Sequence, residues 1–588
     1  MGQLKDNFQN WETGKKDGVS TSISRDSFVY FTIGKGILTE TYFPSPDTIT
    51  LHSLRFFINS QIDESQFPYE TKIEDSDSPL YKIISSADDL IIEKEFVPGS
   101  EASFLYIKYD FSKKTSGSFK IFPFIEKVIS VEKHQVLIKA ENSYIMFLTD
   151  FNFAFEQVGG FFLLHCKNLK NALIKILFGK TEDELLEGLR QSRDFESSKQ
   201  FFNDSWTSFI NLLEVTGKSF LYKRSLINLK VMEDKKHSGA VVASLALPWG
   251  SKFPLTEKNG YHLVWVRDIF FVSLAFFSAG ENHFPSKSLD YMLNYLMRSN
   301  GSFKQNATIL GEERWDATQM DQVAFPIILS YKIRRDDIIK RLSLSAECIF
   351  NHGPETEQER WEEIGGFSPY SMSLQARALE LYSNVTHQEH YSNQAKVYKR
   401  LISQKTLSLE GIFGEMYFVR ISKGNPDERE KTIELKGKHF APIEMISTDF
   451  LYTVFTGIYP SFDMRVNKSV EVVDKLIRFE TPKGISFYRY NGDIYGFDEG
   501  TPKGRLWVIL TAERGIFEYM KGNYIEAERC LLSVENFSTN TYLLPEQVFE
   551  DGSPTESATP LAWSHASYII LYDILFHNKA VSFKEPLL

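Results

Sequence analysis

The chain reads as a multidomain protein, an antiparallel β-sandwich followed by an all-helical region, and three observations predict that class. From Ser27 to about Lys167 the apolar pattern has a period near two, with aromatic and β-branched residues between turn signals. The stretch TEDELLEGLRQSRDFESSKQFFNDSW then spaces acids among leucines without alternation, as a helix does. From Thr216 onward helical spacing largely replaces the strand signal. At 588 residues the chain exceeds one ordinary core, so division is expected. We divide it into a β domain over 1–180, a helical linker over 181–215 and a helical domain over 216–588.

Within the first domain FVYFTIGKGILTETYFP, ASFLYIKYDFS and GGFFLLHCKN predict strands. Between Lys133 and Phe155, VLIKAE and YIMFLTD predict a hairpin turning at Asn142 and Ser143. Together these make a large antiparallel sandwich. Trp11 and Tyr42 are expected to pack in its core or at an interface. In the helical region Leu289, Met292, Leu293, Leu296 and Met297 fall on one stripe, as do Tyr391, Ala395, Tyr398 and Ile402. Periodicity gives roughly a dozen such segments, which suits antiparallel pairs. That number fits a closed (α/α)6 barrel and an α-solenoid equally, although no fixed-period repeat supports the solenoid. Leu407 to His439, with GIFGEMYFVRISKGNPDEREKTIELKGK, predicts a long excursion between helices.

Hydrophobic residues at 42% and charged residues at 24% are those of a soluble globular protein. The net charge of −11 and the lack of a basic run exclude nucleic acid as an expected partner. Cys166, Cys348 and Cys530 are odd in number and lack metal-type spacing, so they are expected as reduced core residues. The polar start MGQLKDNFQNWETGKKDG has no apolar core of signal-peptide length, and no later stretch is long and apolar enough to span a membrane. As written, the chain is expected in the cytoplasm, with no membrane partner. No serine or cysteine nucleophile elbow, Walker loop or dinucleotide fingerprint occurs, and no cofactor is expected.

Chemistry concentrates in LPWGSKFPLTEKNGYHLVWVRD from Leu247 to Asp268, RWEEIGGFSPYS from Arg360 to Ser371, and PEQVFEDG from Pro545 to Gly552. Each combines a tryptophan or phenylalanine, a carboxylate and turn-forming glycine or proline. Aromatic faces stack on the apolar face of a pyranose and charged groups take its hydroxyls, so the pattern suits a sugar pocket. Of eight tryptophans, Trp249, Trp265, Trp315, Trp361, Trp507 and Trp563 lie in the helical part, beside these or related motifs. Trp315 and Trp361, then Trp265, are the preferred stacking residues, while Trp563 on SATPLAWSHASYIILYDIL reads as structural. His262 and His565 read as satisfied packing residues. Taken alone, WEE also fits an acidic pair at a helix start, and Arg267-Asp268 fits a surface ion pair.

YHLVWVRD, WEEIGGFSPYS, GRLWVILTAERG and PEQ…GSPTESATPLAWSHA resemble the prokaryotic glucoamylase and glucodextranase family of inverting glycoside hydrolases, in the family's order. WETGKKDGVSTS and GKGILTETYFP resemble that family's N-terminal β-sandwich (supersandwich). The resemblance implies the (α/α)6 barrel, a substrate of oligo- or polysaccharide with terminal glucose, Glu362 as general acid and Glu546 as general base. An acid at the leaving oxygen and a base holding water on the opposite face are what inversion requires. Glu363 beside Glu362, together with a tryptophan wall, is expected to raise the acid's pKa; the residues alone do not rank Glu362 above Glu363, and the family motif does.

The family pair matching Arg267 and Asp268 grips the terminal sugar, for which charge-assisted hydrogen bonds are suited. Such a pocket implies exo cleavage to single glucose units. RWDATQMDQVAFPIILSY resembles a pocket-lining motif, implying Gln319 and Asp321 as ligands, with Ala317 and Gln322 departing from it and Phe549 standing where relatives carry tryptophan. Those departures leave linkage open between α-1,4, α-1,6 and trehalose. RYNGD at Arg489 to Asp493 and the Gly504 to Trp507 run suit further pocket loops, with Arg505 and Trp507 as contacts and Glu363 beside the acid. Some relatives hold a structural calcium, but no EF-hand-type run exists and no metal is expected. A disaccharide phosphorylase, which lacks the base, and a non-catalytic carbohydrate-binding regulator, which loses both carboxylates, remain the competing readings.

Overall fold

A computed structural model describes residues 10–87, 89–141, 143–255, 260–428, 432–496 and 504–577. The β region is organised by two long neighbouring strands, Phe104–Pro123 and Phe161–Gly179, which run antiparallel to each other. Their ladder breaks twice, between Cys166 and Asn171, and the breaks divide each strand into two halves. One pair of halves carries Ile49–Ile58, Ile37–Tyr42, Tyr30–Gly34 and Gly18–Thr21 on one side and Ala154–Val158 on the other. The other pair carries Leu90–Pro98, Tyr81–Ala87 and Tyr69–Ile73 on one side, with Ser143–Thr149, Gln135–Ala140 and Ile125–Glu132 on the other. Bulges re-aim a strand, which lets one chain segment serve two layers. The layers share a core in which Phe31 meets Phe96 at 6.1 Å and Phe147 meets Phe162 at 5.2 Å. The predicted hairpin is present, with Ala140 opposite Ser143; Asn142 lies outside the described residues.

The acidic linker forms two helices, Glu182–Gln191 and Phe195–Ile210, where periodicity alone suggests one. Asp194 explains the break, because its carboxylate accepts from the Ser197 amide and starts a new helix there. The second helix is tied to the sheet by the Trp206 indole, which donates to the Thr21 carbonyl at 3.1 Å.

Beyond the linker the helices alternate between an outer and an inner ring. The inner helices are Val266–Ser278, Met320–Lys332, Pro369–Thr386, Tyr452–Phe455 with its preceding 3-10 turn Asp449–Leu451, Val508–Lys521 and Ala562–His577. Each packs on the next and the last packs on the first, so the ring closes. Closure distinguishes a barrel from a solenoid, as the family resemblance implies. The first outer helix, Phe220–Val231, packs on the final inner helix and joins the two ends of the ring. The stripe at Leu289 continues from the helix His283–Tyr291 through a π turn over Met292–Leu296, and Met297 leaves it to bridge Phe303. The excursion after Glu389–Thr406 is present as short hairpins, among them Ile433–Leu435 with Lys438–Phe440; residues 429–431 of it lie outside the described residues.

Tyr42 is buried against the barrel, its hydroxyl donating to the Leu245 carbonyl at 2.7 Å and meeting His262 at 2.9 Å. The three cysteines are buried and unpaired. Among the described residues no helix is long and apolar enough to cross a membrane.

Candidate active site

Because the chain alternates outer and inner helices, every inner helix begins at the same end of the barrel. The loops leading into those N-termini enclose a cavity of about 630 Å³. Its aromatic wall is made by Trp265, Trp361, Trp507 and Trp563, all buried. Trp361 lies edge-on to Trp507 at 5.1 Å and nearly parallel to Trp563 at 6.5 Å. The indole N–H groups of Trp361, Trp507 and Trp563 have no partner among the described residues, so this wall offers hydrogen-bond donors as well as faces. Trp563 therefore belongs to the pocket, contrary to the structural reading of its helix. Trp315 is 42% exposed at the mouth, edge-on to Trp265 at 5.9 Å.

Glu362 and Glu363 occupy a loop pinned by the bridge of Thr356 to Gly366. Gly366 has φ 142°, and a Cβ there would stand 2.4 Å from the Ser422 carbonyl oxygen. The next helix starts only at Pro369, so the two glutamates do not cap it and the helix-start reading fails. Glu362 itself takes a left-handed φ of 64°, an uncommon backbone state for a residue with a side chain. The carboxylates then meet opposite environments. Glu362 faces the cavity and accepts from the Trp265 indole at 2.8 Å, with Arg267 at 3.6 Å. Burial raises its pKa, Arg267 opposes the rise, and Asp321 adds to it. Glu363 accepts from Arg420 and Tyr490 at 2.8 Å each and from Arg489 and Lys436 at 3.1 Å each. Burial opposes ionisation, but Arg489, Arg420 and Lys436 prevail and bring its pKa down to about 2. The expected contribution of Glu363 to Glu362 is replaced by burial and Asp321, because the Glu363 carboxylate is turned to its own cations.

On another part of the wall Glu546 is buried and accepts from the Tyr261 hydroxyl through Oε1 at 2.7 Å. Its Oε2 has no partner among the described residues. Burial lifts Glu546 to about 7, against the pull of Tyr261 and Arg489. Tyr261 lies edge-on to Trp265 at 5.7 Å, so two aromatic side chains stand between Glu546 and Glu362. No hydrogen bond or ion pair joins the two carboxyls among the described residues.

Arg267 and Asp268 open the helix Val266–Ser278 and are both buried, which rules out a surface pair. Arg267 is instead held by Asp321 at 2.8 Å and Gln319 at 2.6 Å. Asp268 lines the cavity and is raised to about 7, chiefly by burial, with Arg267 opposing and Glu362 adding.

Trp265, Arg267, Asp268, Trp315, Trp361, Glu362, Glu363, Trp507 and Glu546 thus converge on one cavity. Gln319 and Asp321 do not line it; they are fully buried behind Arg267 and fix its guanidinium. Gln322 stands beside them, accepting from the Arg267 amide at 3.2 Å. Arg505 is also off the wall, paired with Glu550 at 2.9 Å and lying over Phe549. Sequence reasoning passed over Tyr261, Tyr495, Arg360 and Lys436, and left Arg489 unassigned, although all line the cavity. Tyr261 sits inside the quoted YHLVWVRD motif and could have been found there; Lys436 lies in the excursion, where no pattern points to it. His262 and His565 are buried with partners, as expected.

Two carboxyls on separate parts of an aromatic pocket, at the N-terminal end of an (α/α)6 barrel's inner helices, define the class as a glycoside hydrolase. Within that class the chain belongs to glycosyl hydrolases family 15, whose model matches residues 218–298 and 285–573. The glucodextranase domain N model matches residues 6–142. A glucoamylase from Clostridium sp. (strain G0005) is 31% identical, over 98% of this chain and 92% of its own. The crystal structure of a bacterial glucoamylase complexed with acarbose is similar with TM-score 0.90 and 28% identity, over 98% of this chain and 96% of that one. An uncharacterised glycosyl hydrolase from Methanocaldococcus jannaschii is 23% identical over 59% of this chain and 54% of its own.

Proposed function

We propose that this enzyme is an exo-acting, inverting α-glucosidase, a glucoamylase releasing β-glucose from the non-reducing ends of α-1,4-glucans and maltooligosaccharides. The observation that carries the reading is the Oε2 of Glu546, a buried carboxylate oxygen with no partner among the described residues, on the wall of a pocket in which Glu362 is tethered by an indole. In the reaction Glu362, whose neutral form burial favours, gives its proton to the glycosidic oxygen as the bond from C1 breaks. Glu546, in its ionised form and oriented by Tyr261, takes a proton from water through Oε2 as that water's oxygen bonds C1 from the opposite face. Asp268 and Arg267 hold hydroxyls of the terminal glucose, and Gln319 and Asp321 act through Arg267 by fixing it. The indole N–H groups of Trp361, Trp507 and Trp563 donate to further hydroxyls.

The α-1,4 preference rests on likeness to the glucoamylase of Clostridium and the acarbose-bound bacterial glucoamylase. The test is incubation with maltose, maltotriose, isomaltose, dextran and trehalose, the anomers being followed by proton NMR from the first seconds. β-Glucose from maltose and maltotriose, ahead of mutarotation, is expected. Turnover confined to isomaltose and dextran, or to trehalose, would reassign the linkage, and fresh α-glucose would refute inversion together with the role of Glu546.

A further inference from the structure

We propose that Lys436, at the tip of a hairpin in the excursion, is a specificity residue that donates to a hydroxyl of the acceptor sugar, the unit leaving with the glycosidic oxygen. The inference rests on the glucosidase reading above and extends it to the leaving side.

Lys436 lines the cavity beside Glu363, 3.1 Å from that carboxylate. The buried cations of the wall are committed elsewhere. Arg267, Arg360 and Arg489 are multiply paired, and Arg314 stands exposed at the mouth with Glu312 at 3.6 Å. Lys436 keeps a side chain 36% exposed and, among the described residues, holds one acid. Glu363 has no need of it, since Arg420, Arg489 and Tyr490 already donate to both of its oxygens. An ammonium carries three donors and Glu363 accepts one, which leaves two for a ligand in the cavity.

The local backbone gives an independent reason. Lys436 and Gly437 form the two-residue turn between Ile433–Leu435 and Lys438–Phe440, with φ of 50° and 74°. Both values are those of a type I′ turn, whose first position favours asparagine, aspartate or glycine. A lysine in the left-handed region accepts a conformational cost that an asparagine avoids, and such strain collects at functional positions. Neither is the hairpin a loose flap. Ile433 and Leu435 pack with Ile364, Ile421, Met445 and Tyr490 in a small apolar cluster of their own. Ile364 follows Glu363 in the chain, and the Tyr490 hydroxyl donates to it. The hairpin is therefore docked on the acid-bearing loop, and its tip has a fixed position relative to Glu362.

The wall that Lys436 shares with Glu363 begins one residue beyond the acid that protonates the leaving oxygen, so a sugar attached to that oxygen meets this wall next. The two donors that the Lys436 ammonium keeps suit neighbouring hydroxyls of that glucose.

The test compares two substrates that share the glucosyl group and differ in what leaves, maltose with an acceptor glucose and α-glucosyl fluoride with none. Lys436→Met removes the charge and the donors while keeping the stem and the hairpin core. For this variant kcat/KM on maltose is expected to fall about tenfold or more, as for a lost charged hydrogen bond, with the value on α-glucosyl fluoride within about twofold of wild type. Lys436→Arg is expected to recover part of the maltose activity. An equal fall on both substrates would assign Lys436 to holding Glu363 or the loop, and an unchanged maltose value would remove it from recognition; either overturns the inference while leaving the glucosidase reading intact. A wild-type enzyme inert to both substrates overturns that reading and the lysine assignment with it.

Discussion

Glu362 and Glu363 are adjacent in sequence and opposite in chemistry, one cavity-facing with its pKa raised by burial and the other brought to about 2 by three cations. Only a neutral carboxyl can donate a proton, so Glu362→Gln is expected to cut kcat by about 10²–10⁴ while calorimetry with maltose finds near-normal binding. Loss caused instead by Glu363→Gln, with Glu362→Gln active, would shift the role one residue along. Glu546 yields a prediction about stability. It is held at about 7, whereas a glutamate in the unfolded chain titrates near about 4.3. Between those values the folded state binds more protons than the unfolded one, so stability falls as pH rises through the window and stays lowered above it. Glu546→Gln removes that burden. Its thermal unfolding midpoint, followed by circular dichroism, is expected to exceed the wild type's at pH 8 and to lose the advantage by pH 4, and a pH-independent difference would count against a buried, raised carboxyl. The carboxylates and tryptophans of the pocket were legible because their motifs are contiguous. What the sequence hid was direction: Arg267 turns to Asp321 rather than to its neighbour Asp268, and Arg505 turns to Glu550, because partners far along the chain decide where a guanidinium points.

Two inner helices are tied at the pocket end by Arg267 on Val266–Ser278 and Asp321 on Met320–Lys332, a pair buried on both sides. Removing one member of a buried pair leaves the other charge without compensation, at about 3–5 kcal/mol. Asp321→Ala is therefore expected to lower resistance to urea by that order and to reduce kcat/KM, because Arg267 loses its orientation. Asp321→Asn, which keeps an acceptor, should fall between. Wild-type urea resistance in the alanine variant would show the tie to be dispensable. Helices were found in number by their apolar stripes, but their ends depend on local side chains that periodicity does not weigh. Asp194 divides the linker into two helices through one hydrogen bond, and Met297 leaves its stripe after a π turn. The hairpin bearing Lys436 shows the opposite limit, since it is seated by a small cluster whose other members lie on four separate segments.

On the scale of the whole molecule the β-sandwich is joined to the loop that carries Glu546, the proposed general base. Residues before the first strand run along the segment from Glu546 to Thr559. The Thr13 hydroxyl donates to the Glu556 carboxylate at 2.6 Å, the Lys16 amide to the Thr559 carbonyl at 3.1 Å, and the Thr559 amide to the Gly14 carbonyl at 3.2 Å. The Glu546 amide in turn donates to the Ala558 carbonyl at 2.9 Å, which links the clamp to Glu546 within a few residues. Neither the clamp nor the closure of the helical ring could be read from periodicity, which sees a chain locally; ring closure came from family resemblance, and the clamp joins residues more than five hundred positions apart. Gly14 is its tightest point. A Cβ there would lie 2.0 Å from the Glu556 carbonyl oxygen, 2.8 Å from that of Leu247 and 2.9 Å from the Trp249 amide nitrogen, all backbone atoms with no rotamer to give way. Gly14→Ala must therefore push the N-terminal segment off the barrel or move the base-bearing loop. Strain of this kind costs about 1–3 kcal/mol, so the thermal inactivation midpoint should fall. Turnover of the surviving enzyme should fall as well, on maltose and α-glucosyl fluoride alike, because water activation serves both. A variant with a lowered midpoint and unchanged turnover would make the contact purely structural, and one unchanged in both would dismiss the clamp.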